Sequence, residues 1–392
     1  MALPAFLRLH LLDDRFPALH GARALAVVMV LQVHASNLLV LRFHQPDRPL
    51  YYASRSAWFG MDIFFILSGF LIGTMLSRGD AVSSVRGIGR FYLRRGFRIF
   101  PLYYLVLTVL ALLPITTALQ RSTLFWEYAY ATNYIVFEHR NLVMPWAWSL
   151  CVEEHFYLVV PLVLLLLRRV SSEKRRFGLL FGLWALGGAL RVLDGLAHFN
   201  PRDPDGQFLR LFVRTHDRFD ILVIGVAIAL AYRNHQARFE ALLSRPPLRF
   251  ALGTLAMIGL WLCVAPPAAI GAIPTLRESL SWGTFTSVLC GALLPLIIAG
   301  SGLFKSALSA PFFRPISTLS YGIYLIHIPV GEHLALPVAM SMKLGPGSTW
   351  LLSVFLLWFF SMTGAYVLHL LVEKPMLTLR DRVSPSTPER AR

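Results

Sequence analysis

Apolar runs about 20 residues long constrain this chain more than any other feature. A helix rises about 1.5 Å per residue, so about 20 apolar residues span the hydrocarbon core of a bilayer. "RALAVVMVLQVHASNLLV", Arg23 to Val40, is one such run. Ten are present, at about 18–41, 57–77, 99–118, 146–167, 177–197, 216–232, 250–266, 282–302, 316–340 and 348–371. Backbone groups in lipid must bond internally, so runs of this length predict helices. The alternating ten-residue segments of a β-barrel are absent. The expected fold class is all-α, a polytopic integral membrane helix bundle of about ten transmembrane helices.

Composition agrees: 56% of residues are hydrophobic and only 15% are charged, where soluble domains carry about 25% charge. The net charge of +16 lies between the apolar runs. With no soluble basic face to present, this charge argues for topology and against nucleic acid. With the N-terminus inside, 25 Lys and Arg fall on the inner side and 10 on the outer. The bias predicts N-in and C-in, with Arg23 near the inner face and His34 in the outer half. Arg8, Asp13, Asp14 and Arg15 precede the first run, which reads as a retained span with no cleavable signal. Residues 1–375 read as a single transmembrane domain and 376–392 as a disordered, basic cytoplasmic tail. The stretch 119–145, with Trp126, Tyr128, Tyr130 and Tyr134, reads as a loop with an interfacial helix. Cys151, Cys263 and Cys290 have no metal spacing and read as small apolar side chains.

Ionisable groups are costly in a bilayer and mark function when they face the bundle interior. Arg23 and His34 are eleven residues apart, three helical turns along one face. Asp62, in "FGMDIFFILSGFLIG", is expected near the depth of His34, with Ser68 and Gly69 as packing residues. In "RFYLRRGFRIFPLYYL", Arg94, Arg95 and Arg98 cluster at the inner mouth of span three. Arg94 and Arg98 share a face and suit phosphate, with Tyr104 behind them as a further binding candidate. "WAWSLCVEEHFYLVVPL" places Glu153 and Glu154 about two turns into span four, where at least one needs a partner. His155 reads as an interface residue. "LSYGIYLIHIPV" adds Tyr321, Tyr324 and His327, and Glu373 in "VEKP" is expected to pair with an inner arginine.

Six pieces carry a resemblance: Arg23-x10-His34, "GMDIFFILSGFLI", "RRGFRIFPLYY", "WSLCVEEHFYLVVP", "SYGIYLIHIP" and "EKP". In this order, over about 20–375, the chain resembles membrane-bound acyltransferase family 3, which includes O-antigen, Nod-factor and macrolide O-acyltransferases. The resemblance implies an O-acyltransferase of the inner (plasma) membrane that uses acyl-CoA, usually acetyl-CoA, as donor and no metal. Its acceptor would be a hydroxyl of a carbohydrate or other glycan-type molecule. The family's essential histidine matches His34, its arginine partner Arg23, its acyl-CoA arginines Arg95 and Arg98, and its motif glutamate Glu153. Some members carry a C-terminal extracytoplasmic esterase-like domain. The chain ends about twenty residues after span ten, so that domain is expected to be absent.

The expected mechanism has acyl-CoA phosphates on Arg94, Arg95 and Arg98, with the pantetheine arm following the Arg23–His34 stripe. His34 is the general base, and Asp62 or Glu153 fixes its tautomer. Tyr324, Ser149 or Trp148 is the candidate oxyanion donor. An acylated His34 intermediate is the two-step alternative, distinguished by ping-pong kinetics. The competing function is a proton-coupled secondary transporter. No inverted repeat supports it, and its arginines would not need acyl-CoA.

Overall fold

The computed structural model describes residues 7–11, 15–43, 56–77, 82, 84–135, 141–198, 200, 204–264 and 276–385. These form an all-α polytopic bundle with no strand among the described residues. Ten long helices cover the ten expected runs: α1 (Pro17–Phe43), α2 (Gly60–Leu76), α3 (Val85–Leu112), α4 (Trp148–Arg169), α5 (Glu173–Ala197), α6 (Thr215–Asn234), α7 (Pro246–Val264), α8 (Leu276–Ala299), α9 (Phe313–Val330) and α10 (Pro346–Leu368). Eight spans are long and apolar enough to cross a membrane, leaving out α6 and α7. The apolar part of α7 is short. In α6 the opening "THDRFD" carries three charges, all of them buried against neighbouring helices.

Span three differs from the expectation. Helix α3 begins fourteen residues earlier than expected, where the Ser84 hydroxyl caps it by accepting from the Gly87 amide at 3.0 Å. Arg94, Arg95 and Arg98 therefore lie inside the helix, not at its entrance. At its far end Arg121 donates to the carbonyls of Ala111 and Leu113, where the helix runs out of its own amide donors. The aromatic stretch 119–145 holds three one-turn helices, Ala118–Arg121, Leu124–Tyr128 and Thr132–Ile135. Buried Glu127 pins this stretch by accepting from the amides of Val143 (2.9 Å) and Met144 (2.7 Å).

The tail also departs from the expectation. After a π-helical turn at His369–Glu373, the chain continues as α11 (Lys374–Val383). Only residues 386–392 of the expected tail lie outside the described residues. Glu373 accepts from His369 at 2.6 Å instead of pairing with an arginine. Cys151 and Cys290 are both buried; the Cys263 side chain lies outside the described residues.

The tightest packing joins α2 and α6. A Cβ on Gly69 would fall 2.1 Å from the Leu222 carbonyl oxygen, and one on Gly225 would fall 2.4 Å from that of Ile66. Backbones this close require glycine on both sides. The contact fixes the rotation of α2 and turns Ser68 toward α4.

Candidate active site

A cavity of about 790 Å³, including its open mouth, lies between α1, α2, α3, α4 and α9. Arg23, Arg95 and Arg98 line it together. Arg95 and Arg98 are three residues apart and so project from one face of α3. The Arg95 guanidinium stacks 3.5 Å from the centre of the Tyr157 ring, a cation–π contact. Among the described residues, no carboxylate lies within salt-bridge distance of any of these three arginines.

Glu153 also lines the cavity. Its Oε1 accepts from the Ser68 hydroxyl at 2.8 Å and its Oε2 from the Tyr157 hydroxyl at 2.9 Å. Both oxygens are thus held, and the side chain lines the same space as the arginines. The sequence reading gave Ser68 a packing role; the structure gives it a hydrogen bond instead. Tyr157 was missed, although its i+4 spacing from Glu153 is a legible signal.

At the far end of the cavity, Ser149 and Tyr324 lie 2.6 Å apart, and Tyr324 donates to the Trp146 carbonyl. Tyr324 has one proton, so Ser149 must donate to Tyr324. Both hydroxyl protons are committed, and neither is available to an oxyanion in this state. Pro329 has no amide proton to give the Leu325 carbonyl, and the Trp146 indole donates to that carbonyl at 3.1 Å. This bond ties α9 to the start of α4. One turn beyond Tyr324, buried His327 places its Nε2 3.0 Å from Nδ1 of His34. Nδ1 of His34 is also 3.0 Å from the Val30 carbonyl oxygen. His34 therefore stands beyond the Tyr324–Ser149 pair and pairs with a second histidine.

Other predicted residues go elsewhere. Asp62 is fully buried and paired with Arg218 of α6. Gly60 abuts Ala26 and Met29 of α1, so Asp62 lies roughly 10 Å deeper than His34, not at its depth. Among the described residues no hydrogen bond joins either Asp62 or Glu153 to His34. Arg94 turns away from the cavity to Asp381, at 3.0 Å, and to the Ser384 carbonyl. The expected Arg94–Arg98 face is thus replaced by Arg95–Arg98. Tyr104 bonds the Tyr128 carbonyl at 3.2 Å in the aromatic stretch. The Trp148 ring packs against Phe65 and Phe212. His155 contacts the Thr215 hydroxyl at 2.7 Å, an interface position as expected.

A second polar cluster joins α5 and α6. Asp194, His216 and Asp217 offer ligand atoms within 4.8 Å of one another. However, Asp194 already binds Arg210 (3.3 Å) and Arg214 (3.1 Å). Arg191 binds Asp220 at 2.6 Å and the Asp217 carbonyl. A divalent cation there would have to displace the Arg210 and Arg214 guanidiniums from Asp194, so this donor set fits an internal ion-pair network better than a metal.

Comparison with known proteins gives one family-model match, described as an acyltransferase domain, over residues 16–370. The chain is 26% identical over 332 residues to the peptidoglycan O-acetyltransferase OatA of Listeria monocytogenes, covering 80% of this chain and 49% of the relative. It is 27% identical over 337 residues to the putative peptidoglycan O-acetyltransferase YrhL of Bacillus subtilis, covering 80% and 48%. A putative O-acetyltransferase of Staphylococcus aureus is 23% identical over 334 residues, covering 80% and 50%. The chain spans about half the length of these curated relatives. No solved structure matches.

Proposed function

The chain belongs to this acyltransferase family, the membrane-bound family 3 that its motifs resemble, and from that premise we propose that it moves an acetyl group from acetyl-CoA to a hydroxyl of an envelope glycan. The acceptor class follows the relatives, two of which carry peptidoglycan in their names. The setting is the inner membrane.

The observation that carries the donor assignment is the cavity lined by three arginines that, among the described residues, have no carboxylate within salt-bridge distance. A buried cation without a counter-charge is costly. Three of them facing one space, with Glu153 the one acid among the described lining residues, favour a polyanionic ligand. Acetyl-CoA supplies phosphates for Arg23, Arg95 and Arg98. Its arm then extends past Glu153 toward Ser149 and Tyr324, bringing the thioester to the His34 end.

There, His34 removes the proton from the acceptor hydroxyl. The alkoxide attacks the thioester carbonyl, and the tetrahedral adduct collapses with the C–S bond breaking. The imidazolium returns the proton to the leaving CoA thiolate. Glu153 holds the arginines in place; the hydrogen bonds from Ser68 and Tyr157 keep it from closing onto them. Tyr324 and Ser149 would have to exchange their present partners before either could donate to the oxyanion.

The test is transfer of labelled acetyl from acetyl-CoA into envelope material, with membranes holding equal amounts of wild type, His34→Ala or Arg98→Ala. His34→Ala is expected to abolish incorporation. Arg98→Ala is expected to raise KM for acetyl-CoA at least about tenfold, the loss of one charge-assisted contact. Acetyl-CoA binding that ignores Arg95 and Arg98 would remove the donor site from this cavity.

A further inference from the structure

The contact of His34 with His327, beyond the Tyr324 end of the cavity, has no place in the scheme so far. The His34 tautomer can be read from it by following acceptors that cannot donate. The Tyr324 carbonyl oxygen lies 2.6 Å from Nδ1 of His327. A carbonyl only accepts, so this Nδ1 carries the proton. In a neutral imidazole the other nitrogen then has none. Nε2 of His327 is therefore an acceptor, and its neighbour at 3.0 Å, Nδ1 of His34, must be the donor. The Val30 carbonyl reaches the same conclusion independently, since it also lies 3.0 Å from Nδ1 of His34. The reverse assignment would set lone pair against lone pair at both carbonyls.

We propose that His327 is the positioning residue for His34: through Tyr324 O···H–Nδ1 of His327 and Nε2···H–Nδ1 of His34, it leaves the Nε2 lone pair of His34 as the base. This rests on the reading of His34 as base. It replaces the acid expected from the sequence, because Asp62 is committed to Arg218 and Glu153 to Ser68 and Tyr157. Among the described residues, no hydrogen bond occupies Nε2 of His34. When that nitrogen takes the acceptor's proton, the Nδ1–H bond to His327 becomes charge-assisted. Should the Nδ1 proton then pass to Nε2 of His327, the positive charge moves onto His327, whose own Nδ1–H remains on the Tyr324 carbonyl. Protons and charge balance throughout. The two rings, with centroids 4.7 Å apart, hold the pair without burying a carboxylate.

Two measurements test this. The first is acetyl transfer by His327→Gln and His327→Leu at matched protein level and matched thermal stability in detergent. Glutamine keeps an acceptor near the Nε2 position; leucine fills the space without one. Leucine is expected to lower kcat on the order of 10²-fold, as loss of an orienting partner does. Glutamine should retain at least tenfold more than leucine. KM for acetyl-CoA should stay within about twofold, because the arginine end is untouched, and neither change should add to the loss in His34→Ala. Equal rates for glutamine and leucine, or a further loss in the His34→Ala background, overturn the proposal.

The second is 15N NMR of histidine-labelled protein, with His34 assigned by its disappearance in His34→Gln. The wild type should show a protonated Nδ1 and a bare Nε2, with this preference lost in His327→Leu. A protonated Nε2 in the wild type, or no change in the variant, overturns the proposal. This readout needs no turnover. A fixed Nδ1–H tautomer in a protein whose acetyl transfer is indifferent to His34 would leave the positioning intact and reject the base assignment.

Discussion

A carboxylate's role depends on its partner, and partners come from distant parts of the chain. Asp62 has the residue type and the setting of an orienting acid, but Arg218, 156 residues away, holds it. Both side chains are buried, at 0% and 2% exposure. Removing one member of such a pair leaves an unpaired charge, at a cost of about 3–5 kcal/mol. Asp62→Leu should therefore lower thermal stability sharply. The double change Asp62→Leu with Arg218→Met should recover most of it, because a buried pair often exchanges for apolar residues at little cost. Thermal unfolding in detergent reads both. If the single variant were as stable as wild type but inactive, Asp62 would belong with His34 after all. Arg94 follows the same logic: its partner Asp381 is 287 residues on. A sequence marks such residues as unusual in an apolar run but does not name the partner. Arg23, Arg95, Arg98 and Glu153 were legible because they stand out within apolar segments and all face one cavity. His327 was visible in its span but had no assignable role until the fold brought it to His34, 293 residues away.

At the scale of helices, periodicity and length were enough to find all ten. Their ends and rotations were not legible, because side-chain caps and glycine contacts decide them. The Ser84 cap starts α3 fourteen residues early and carries three arginines into the helix. The Gly69–Gly225 crossing sets how α2 faces α4. Gly69→Ala would force a Cβ to within 2.1 Å of the Leu222 carbonyl oxygen, and both sides of that contact are backbone. The helices must separate, at about 1–3 kcal/mol for overpacking. Ser68, the preceding residue, would move with α2 and loosen its 2.8 Å bond to Glu153. Gly69→Ala should thus lower both stability and acetyl-CoA affinity. Gly89→Ala, where an added Cβ meets nothing within 4 Å, should lower neither. Unfolding curves and acetyl-CoA titrations of the two variants separate a packing role from a general intolerance of substitution.

For the whole molecule, the order of groups along the bundle is more informative than any one of them. From the basic end inward come the arginines, then Glu153 with Ser68 and Tyr157, then Ser149 with Tyr324, then the two histidines. On the proposed function, the bias of 25 basic residues to 10 puts the arginine end on the cytoplasmic side, the side of the proposed acetyl-CoA donor, and the histidine end in the outer half, the side of the proposed glycan acceptor. In that proposal the polar groups form a gradient from donor side to acceptor side across one membrane. That arrangement makes a sidedness prediction that a two-substrate enzyme with one open face would not. In inside-out vesicles, added acetyl-CoA should support transfer to acceptor trapped in the lumen. In right-side-out vesicles the same acetyl-CoA should be inert until the membrane is permeabilised. Arg98→Ala should weaken the inside-out reaction through KM, and His327→Leu through kcat. Equal use of acetyl-CoA from both faces would mean that the cavity opens to both sides, and the charge asymmetry would then set topology alone and not the direction of acyl flow.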